Sequence, residues 1–247
     1  MLALHTPQAV FSLRHAPSWF LLAFAAGAVN AVAFLACSRF VTHVTGTATQ
    51  IGMNAGTVVL ALDYLIVLGC FVTGALTSAV VIDGRHHQGK RPLYAVPLVV
   101  VAAVLASIAF LGTHGVFGPF GGDVESARDF GFLSILAFAM GLQNAAVATS
   151  TGLVVRTTHM TGPATDLGIH LGTALHTQGD ARRVALRHAA LRAGKIASFA
   201  SGGAIGAIAA ARVEYAAFFV PAAVVLVATG LSFLSVSHPR TSQELAS

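Results

Sequence analysis

Long apolar runs alternate with short polar segments along most of the chain. Each run has the length of roughly 20 residues that an α-helix needs to cross a bilayer, and none shows the period-two alternation of barrel strands. The pattern therefore predicts an all-α polytopic membrane protein with six transmembrane helices. The runs lie at residues 19–38, 64–82, 93–112, 130–152, 193–211 and 216–236.

Two stretches between these runs resemble each other and are too polar for ordinary spans. Residues 43–56 read HVTGTATQIGMNAG and residues 159–172 read HMTGPATDLGIHLG, with seven identical positions. Polar, glycine-rich backbone at membrane depth is costly unless protein or water surrounds it. We therefore predict two re-entrant half-helices that face one site.

Basic residues predict the orientation of the spans, because cytoplasmic loops of membrane proteins are enriched in Lys and Arg. Segments 83–92 and 180–195 are basic, whereas segment 113–129 is mainly acidic. With the first two in the cytoplasm and the third outside, stretches 43–61 and 159–176 must each enter and leave on one side of the membrane. The alternative of eight full spans would place one or both basic segments outside.

The resulting arrangement is an inverted-topology repeat within a single membrane domain, residues 19–236. Repeat one covers about residues 19–112 and repeat two about residues 130–236, and each contains a span, a half-helix and two more spans. Residues 1–18 and 237–247 are expected to form cytoplasmic terminal segments.

Composition supports a membrane location. Hydrophobic residues make up 55% of the chain and charged residues 9%, with a mean hydropathy of +0.78, which is far from the pattern of a soluble domain. The net charge of +5 does not indicate nucleic-acid binding, because the basic residues are concentrated beside apolar runs. The expected partners are the lipid bilayer and a small-molecule or ion substrate.

Two further matches between the halves carry a family resemblance. Gly27-x-x-Asn30-Ala matches Gly141-x-x-Asn144-Ala, in addition to the paired His-x-Thr-Gly-x-Ala-Thr segments. With these motifs, residues 19–236 resemble the YoaK-like family of bacterial inner-membrane proteins of unknown function. The resemblance implies a multi-pass protein of the bacterial inner membrane, suggests small-molecule transport, and transfers no catalytic residues.

Each repeated stretch predicts a helix start near mid-membrane, at Gly46 or Gly162, after an extended approach. Unpaired N–H groups and the helix dipole there favour an anion or a carbonyl oxygen, and inverted-repeat transporters bind substrate at such broken helices. Alternatively, the threonine hydroxyls only cap the backbone. The predicted substrate-binding residues are His43, Thr45, Gly46, Thr49, His159, Thr161, Gly162, Thr165, Asn30, Asn144 and Arg39.

Several of these residues have a second interpretation. His43 and His159 can contact substrate, relay protons or bind metal, or can be structural; since no further ligands with metal spacing accompany them, we predict no metal site. Asn30 and Asn144 can contact substrate or brace the half-helices. Arg39 can attract an anionic substrate or anchor the chain at the interface.

Asp166 and His170 are candidates for proton coupling. Asp166 is the one acidic residue in either repeated stretch, His170 lies four residues later on the same helix face, and ionisable residues at membrane depth are functional candidates. The first copy has Gln50 and Asn54 at these positions, which carry no titratable proton. Alternatively, Asp166 pairs with Arg156 or His170.

Small-residue pairs in two spans allow close helix approach, either within the fold or in a homodimer. They are Gly74 with Ser78 and Gly202 with Gly206.

Three functions remain open at this point. The first is a secondary transporter that exports a small polar or anionic molecule, with substrate bound between the half-helix starts. The second is a passive, aquaporin-like channel. The third is a membrane-embedded enzyme or metal-binding protein that uses His43, His159 and Asp166. The chain has no phosphate-binding loop, nucleophile elbow or zinc-protease motif, so nothing in it supports ATP-driven transport. We favour the secondary transporter and expect no enzyme and no cofactor.

Overall fold

The computed structural model describes residues 16–87, 89–90, 92–122, 126–153 and 155–231, and all regular structure in them is helical. The helices are α1 (Ala16–Cys37), α2 (Val44–Met53), α3 (Val58–His87), α4 (Ala95–Thr113), α5 (Ala127–Ser150), α6 (Thr161–His176), α7 (Gly179–Val213), a 3-10 helix (Glu214–Phe218) and α8 (Phe219–Thr229).

Among the residues that the structure describes, five helical segments are long and apolar enough to cross a membrane, in agreement with the predicted class of helical membrane protein. The last of them, Gly179–Thr229, contains α7, the 3-10 helix and α8, with a break at Glu214, whose φ is +50°. The predicted sixth span, 216–236, begins after this break. Its residues beyond 231 lie outside the described part of the chain, as do 1–15 and 237–247 of the predicted termini.

Helices α3 and α7 are much longer than the apolar runs within them. The basic segment 180–195, which the sequence predicts to lie in the cytoplasm, is the first half of α7, which has 35 residues. Segment 179–213 contains no proline and many alanines and arginines, which are strong helix formers. At 1.5 Å per residue α7 is about 52 Å long, so it exceeds the hydrocarbon thickness of about 30 Å.

The two repeats exchange partners. Helix α1 of repeat one packs along α7 of repeat two, and α5 of repeat two packs along α3 of repeat one. In addition, α4 packs on α8, and each of these also packs on the first helix of the other repeat. The contact pattern is unchanged when the repeats are exchanged, as a duplication predicts.

Four Phe-x-x-Gly sequences form the two main crossings. A Cβ on each glycine would collide with the backbone carbonyl of the phenylalanine on the facing helix, so only glycine permits this close approach. Gly74 and Gly202 therefore pack within the fold. Phe24-x-x-Gly27 in α1 crosses Phe199-x-x-Gly202 in α7, and Phe71-x-x-Gly74 in α3 crosses Phe138-x-x-Gly141 in α5.

The other two members of the small-residue pairs also face the interior. A Cβ on Gly206 would lie 2.8 Å from the carbonyl oxygen of Ala28 in α1. Ser78 in α3 is fully buried. The small-residue pairs therefore pack within the fold, which is one of their two predicted roles.

Candidate functional site

The segment after α1 turns back along that helix before α2 begins. The side-chain oxygen of Asn30 accepts hydrogen bonds from the backbone N–H groups of Val41 and Thr42, at 3.0 and 2.9 Å. The Asn30 amide also donates to Thr42 Oγ1 at 2.6 Å. Because Asn30 lies two turns before Cys37, the chain has returned about 10 Å along α1 by this point.

The segment after α5 is held by the equivalent residue. Asn144 Oδ1 accepts a longer bond, 3.4 Å, from the backbone N–H of Thr158. Thr158 precedes His159 as Thr42 precedes His43. Both asparagines therefore brace the backbone immediately before a repeated histidine, which is one of their two predicted roles.

A cavity of about 440 Å³, here called the central cavity, lies between the two braced segments and the starts of α2 and α6. Its fourteen lining residues form seven pairs that are equivalent in the two repeats. Six of them are predicted site residues. The pairs are Asn30 and Asn144, Phe40 and Arg156, Thr42 and Thr158, His43 and His159, Val44 and Met160, Thr45 and Thr161, and Phe71 and Phe199.

A second cavity of about 440 Å³, here called the first-repeat cavity, adjoins the central one. The two share Phe40, His43 and Thr45 as lining residues. Three further predicted site residues line only the first-repeat cavity. They are Arg39, Gly46 and Thr49.

Arg39 is held at the first-repeat cavity by Tyr64 of α3. Its Nε donates to the Tyr64 hydroxyl at 2.8 Å, and its guanidinium carbon lies 5.9 Å from the centroid of the same ring. The charge of Arg39 is thus fixed beside the central cavity but does not line it.

The repeated histidines fold over the starts of the short helices. The backbone N–H of Gly162 donates to His159 Nε2 at 3.1 Å, and a Cβ on Gly46 would lie 2.5 Å from His43 Nδ1. The two glycines therefore leave room for the imidazole rings. The helices begin at Val44 and Thr161, within two residues of the glycines near which the sequence predicts their starts.

The two helix starts differ in the donors that they offer. Within the described residues, the N–H groups of Val44, Thr45 and Gly46 in α2 have no acceptor, and the first bonded group is Thr47 N–H. In α6, the Gly162 N–H is taken by His159, and Pro163 has none. The start of α2 is therefore the stronger anion site.

The threonines of the two stretches are arranged equivalently. Thr49 and Thr165 donate to the backbone oxygens of Thr45 and Thr161, at 2.9 and 3.0 Å. Their hydroxyl protons are thus used within the helices. The hydroxyls of Thr45 and Thr161 line the central cavity and can donate there. Thr165 lines neither cavity.

The predicted proton-coupling residues lie against α7, outside both cavities. Asp166 Oδ2 is 3.4 Å from Arg192 Nε, so its partner is neither of the two that the sequence suggested. His170 stacks on His188 with 5.1 Å between ring centroids. Neither cavity is lined by a carboxylate.

Lys195 is a residue that sequence reasoning did not select. Its ammonium donates to the backbone oxygens of Arg156 and His159, the second at 3.0 Å. The sequence assigned it only to a basic segment that sets orientation. Its equivalent in repeat one is Val67, and this contrast between copies is the signal that could have singled it out.

Comparison with known proteins gives a family and no function. The family described as "Protein of unknown function (DUF1275)" matches residues 18–231. No curated protein and no solved structure matches the chain. The predicted resemblance to an uncharacterised family is confirmed.

Proposed function

Because the chain belongs to the DUF1275 family, whose function is unknown, its activity must be argued from its geometry, and we propose that it is a secondary membrane transporter for a small anion. The central cavity is the proposed binding site. The observation that carries the proposal is its lining by equivalent residues of the two repeats, between two helix starts. Transporters with inverted repeats bind substrate at such interrupted helices.

The proposed topology has six crossings and two re-entrant half-helices. Helix α2 has 10 residues and α6 has 16, so they are about 15 and 24 Å long, and both are shorter than the hydrocarbon thickness of about 30 Å. The preceding segment has already turned back to the level of Asn30. The basic segments 83–92 and 180–195 would place both termini in the cytoplasm. The resemblance to the YoaK-like family suggests that the membrane is the inner membrane of a bacterium.

The proposed substrate is an anion because the site offers positive charge and hydrogen-bond donors. Arg156 lines the central cavity and Arg39 the adjoining one, while no carboxylate lines either. The free N–H groups at the start of α2 and the hydroxyls of Thr45 and Thr161 add neutral donors. At about 440 Å³ the central cavity falls in the size range of small-molecule sites.

The test is anion flux into liposomes that contain the purified protein. The probes are potassium formate, acetate, lactate and nitrate, and the signal is the current that an anion gradient evokes on a solid-supported membrane. We expect the current to saturate with concentration for at least one anion. The double substitution T45V/T161V removes two donors while keeping side-chain volume, and it should lower the current about tenfold or more, since a hydrogen bond to a charged group is worth about 1.5–3 kcal/mol.

The matched control is T73V/T77V, which changes two exposed threonines of α3 that bond only to their own helix. It should leave the current unchanged. A current that rises linearly and never saturates would favour the aquaporin-like channel. Absence of both current and uptake of radiolabelled anion, with all four anions, would reject anion transport; uptake is needed as a second signal because one-to-one transport of a proton with the anion carries no current.

A further inference from the structure

The two sides of the central cavity differ at equivalent positions. On one side, Gln50, Tyr64 and Val67 line the open first-repeat cavity. The alignment that pairs His43 with His159 and Phe71 with Phe199 places Asp166, Arg192 and Lys195 at these positions in repeat two. Three uncharged residues thus correspond to three charged ones.

The charged residues bond across the space that is open in repeat one. Arg192 and Asp166 join α7 to the first half of α6 through the 3.4 Å ion pair. Lys195, one turn farther along α7, donates to the backbone oxygens of Arg156 and His159. Both of these residues line the central cavity. The start of α6 and the segment before it are therefore tied to α7.

These bonds are suited to a contact that forms and breaks. The Asp166 and Arg192 side chains are 46% and 19% exposed, and their separation of 3.4 Å is longer than that of a strong charge-assisted hydrogen bond. The bonds of Lys195 are charge-assisted, and they satisfy two carbonyls in a segment without helical hydrogen bonding. Together the ion pair and the Lys195 bonds stabilise the conformation in which α6 contacts α7, and they are weak enough to break.

On the basis of the proposed transport function, we propose that Arg192 and Lys195 form a latch that closes the central cavity toward the side of the basic segment 180–195. Opening toward that side requires α6 and residues 156–159 to separate from α7, which breaks both sets of bonds. In an inverted repeat the two halves exchange conformations between the two access states. The first-repeat cavity would close as the latch opens.

The test measures access to the central cavity from each side of the membrane. The two native cysteines are replaced (C37A/C70A), and Met160→Cys supplies a single thiol in the cavity lining at a position with no assigned binding role. Right-side-out and inside-out vesicles are treated with a membrane-impermeant, positively charged methanethiosulfonate. A separate R183C variant, on the exposed part of α7, identifies the side that carries segment 180–195.

With the latch intact, Met160→Cys should react slowly from the side of segment 180–195. R192Q/K195Q should raise the rate from that side at least tenfold, and D166N should raise it in the same direction. The control R182Q/R183Q removes two exposed charges from the same helix and should have no effect. K195R keeps a charged donor and should retain the slow rate.

An unchanged rate in both R192Q/K195Q and D166N would overturn the latch. D166N removes one charge without shortening a side chain, so it keeps the test decisive if the double variant does not fold. Because modification requires no transport, the two proposals fail separately. If the anions give no flux but the latch variants raise the rate of cysteine modification, the transporter is rejected and the latch is supported. If flux saturates but the latch variants leave the modification rate unchanged, the transporter is supported and the latch is rejected.

Discussion

At the scale of single residues, one asparagine in each repeat provides the hydrogen bonds that hold a polar segment against a helix. Asn30 satisfies two backbone N–H groups and one hydroxyl, and the N–H of buried Val41 is among them. Asn144 makes one longer bond at the equivalent place. An amide can act as donor and acceptor together, which explains why the same residue type serves both copies.

This difference predicts unequal effects of truncation. Asn30→Ala should lower the free energy of unfolding by about 1–3 kcal/mol, because it leaves buried backbone donors unpaired. Asn144→Ala should cost less, since only one long bond is lost. Thermal unfolding of the purified variants in detergent compares them. Equal stability of the two variants would contradict this inequality, and an Asn30→Ala variant as stable as the unsubstituted protein would contradict the bracing role of Asn30.

The histidines were predicted as site residues, and their geometry adds a role for the neighbouring glycines. Gly46 and Gly162 lie where a side chain would press on His43 or His159. By contrast, Gly52 and Gly168 meet open space. The Thr-Gly pair therefore leaves space for an imidazole ring over the helix start, close to the position at which the sequence predicts each helix to begin.

At the scale of helices, backbone contact at the Phe-x-x-Gly crossings positions the cavity. Phe71 and Phe199 contribute their carbonyls to these crossings and also line the central cavity. The depth of the crossing and the shape of the site are thus set by the same residues. Helix association in a bilayer depends on such close packing because lipid provides no hydrophobic driving force between helices.

Alanine at a crossing glycine tests this dependence. Gly27→Ala and Gly141→Ala should each lower stability by about 1–3 kcal/mol, as expected for overpacking, because the Cβ would meet rigid backbone. The control is Gly69→Ala in α3, where a Cβ meets nothing within 4 Å. Unfolding temperatures in detergent provide the comparison. A crossing variant as stable as the control would show that the helices can separate without cost.

At the scale of the whole molecule, the exchange of partners between repeats makes each half depend on the other. Helices α1 and α5 pack mainly on α7 and α3 of the opposite repeat. A rigid movement of one repeat would therefore disturb the two crossings. Movement about the central cavity is better accommodated by α2 and α6, since α2 has no buried residue and α6 only Ala174.

Proton coupling through Asp166 is a prediction at this scale, because it links one ionisable group to net flux. A pH gradient should drive accumulation of the transported anion in proteoliposomes, and Asp166→Asn should abolish that accumulation while downhill flux persists. The substitution removes the carboxylate that would carry the proton, but Asp166 does not line the central cavity, so the residues that bind the anion are unchanged. Accumulation that is independent of both the gradient and the substitution would exclude coupling at Asp166.

The sequence alone determined the helical membrane class and the likeness of the two halves, and it selected six of the fourteen residues that line the central cavity. These properties are readable because apolar run length and the cost of unpaired backbone in lipid act locally along the chain. Identity between the two copies then indicated which polar residues belong together. Six of the predicted residues line one cavity.

Only the tertiary structure decided which helices pack together and where the long charged side chains lie. Arg39 lies beside Tyr64, Asp166 pairs with Arg192, and Lys195 reaches residues far away in sequence. Each contact joins two parts of the same repeat and depends on how the chain near α2 packs on α3 or the chain near α6 packs on α7. The direction of a long side chain follows from the packing of its helix against distant elements, and hydropathy carries no information about that packing.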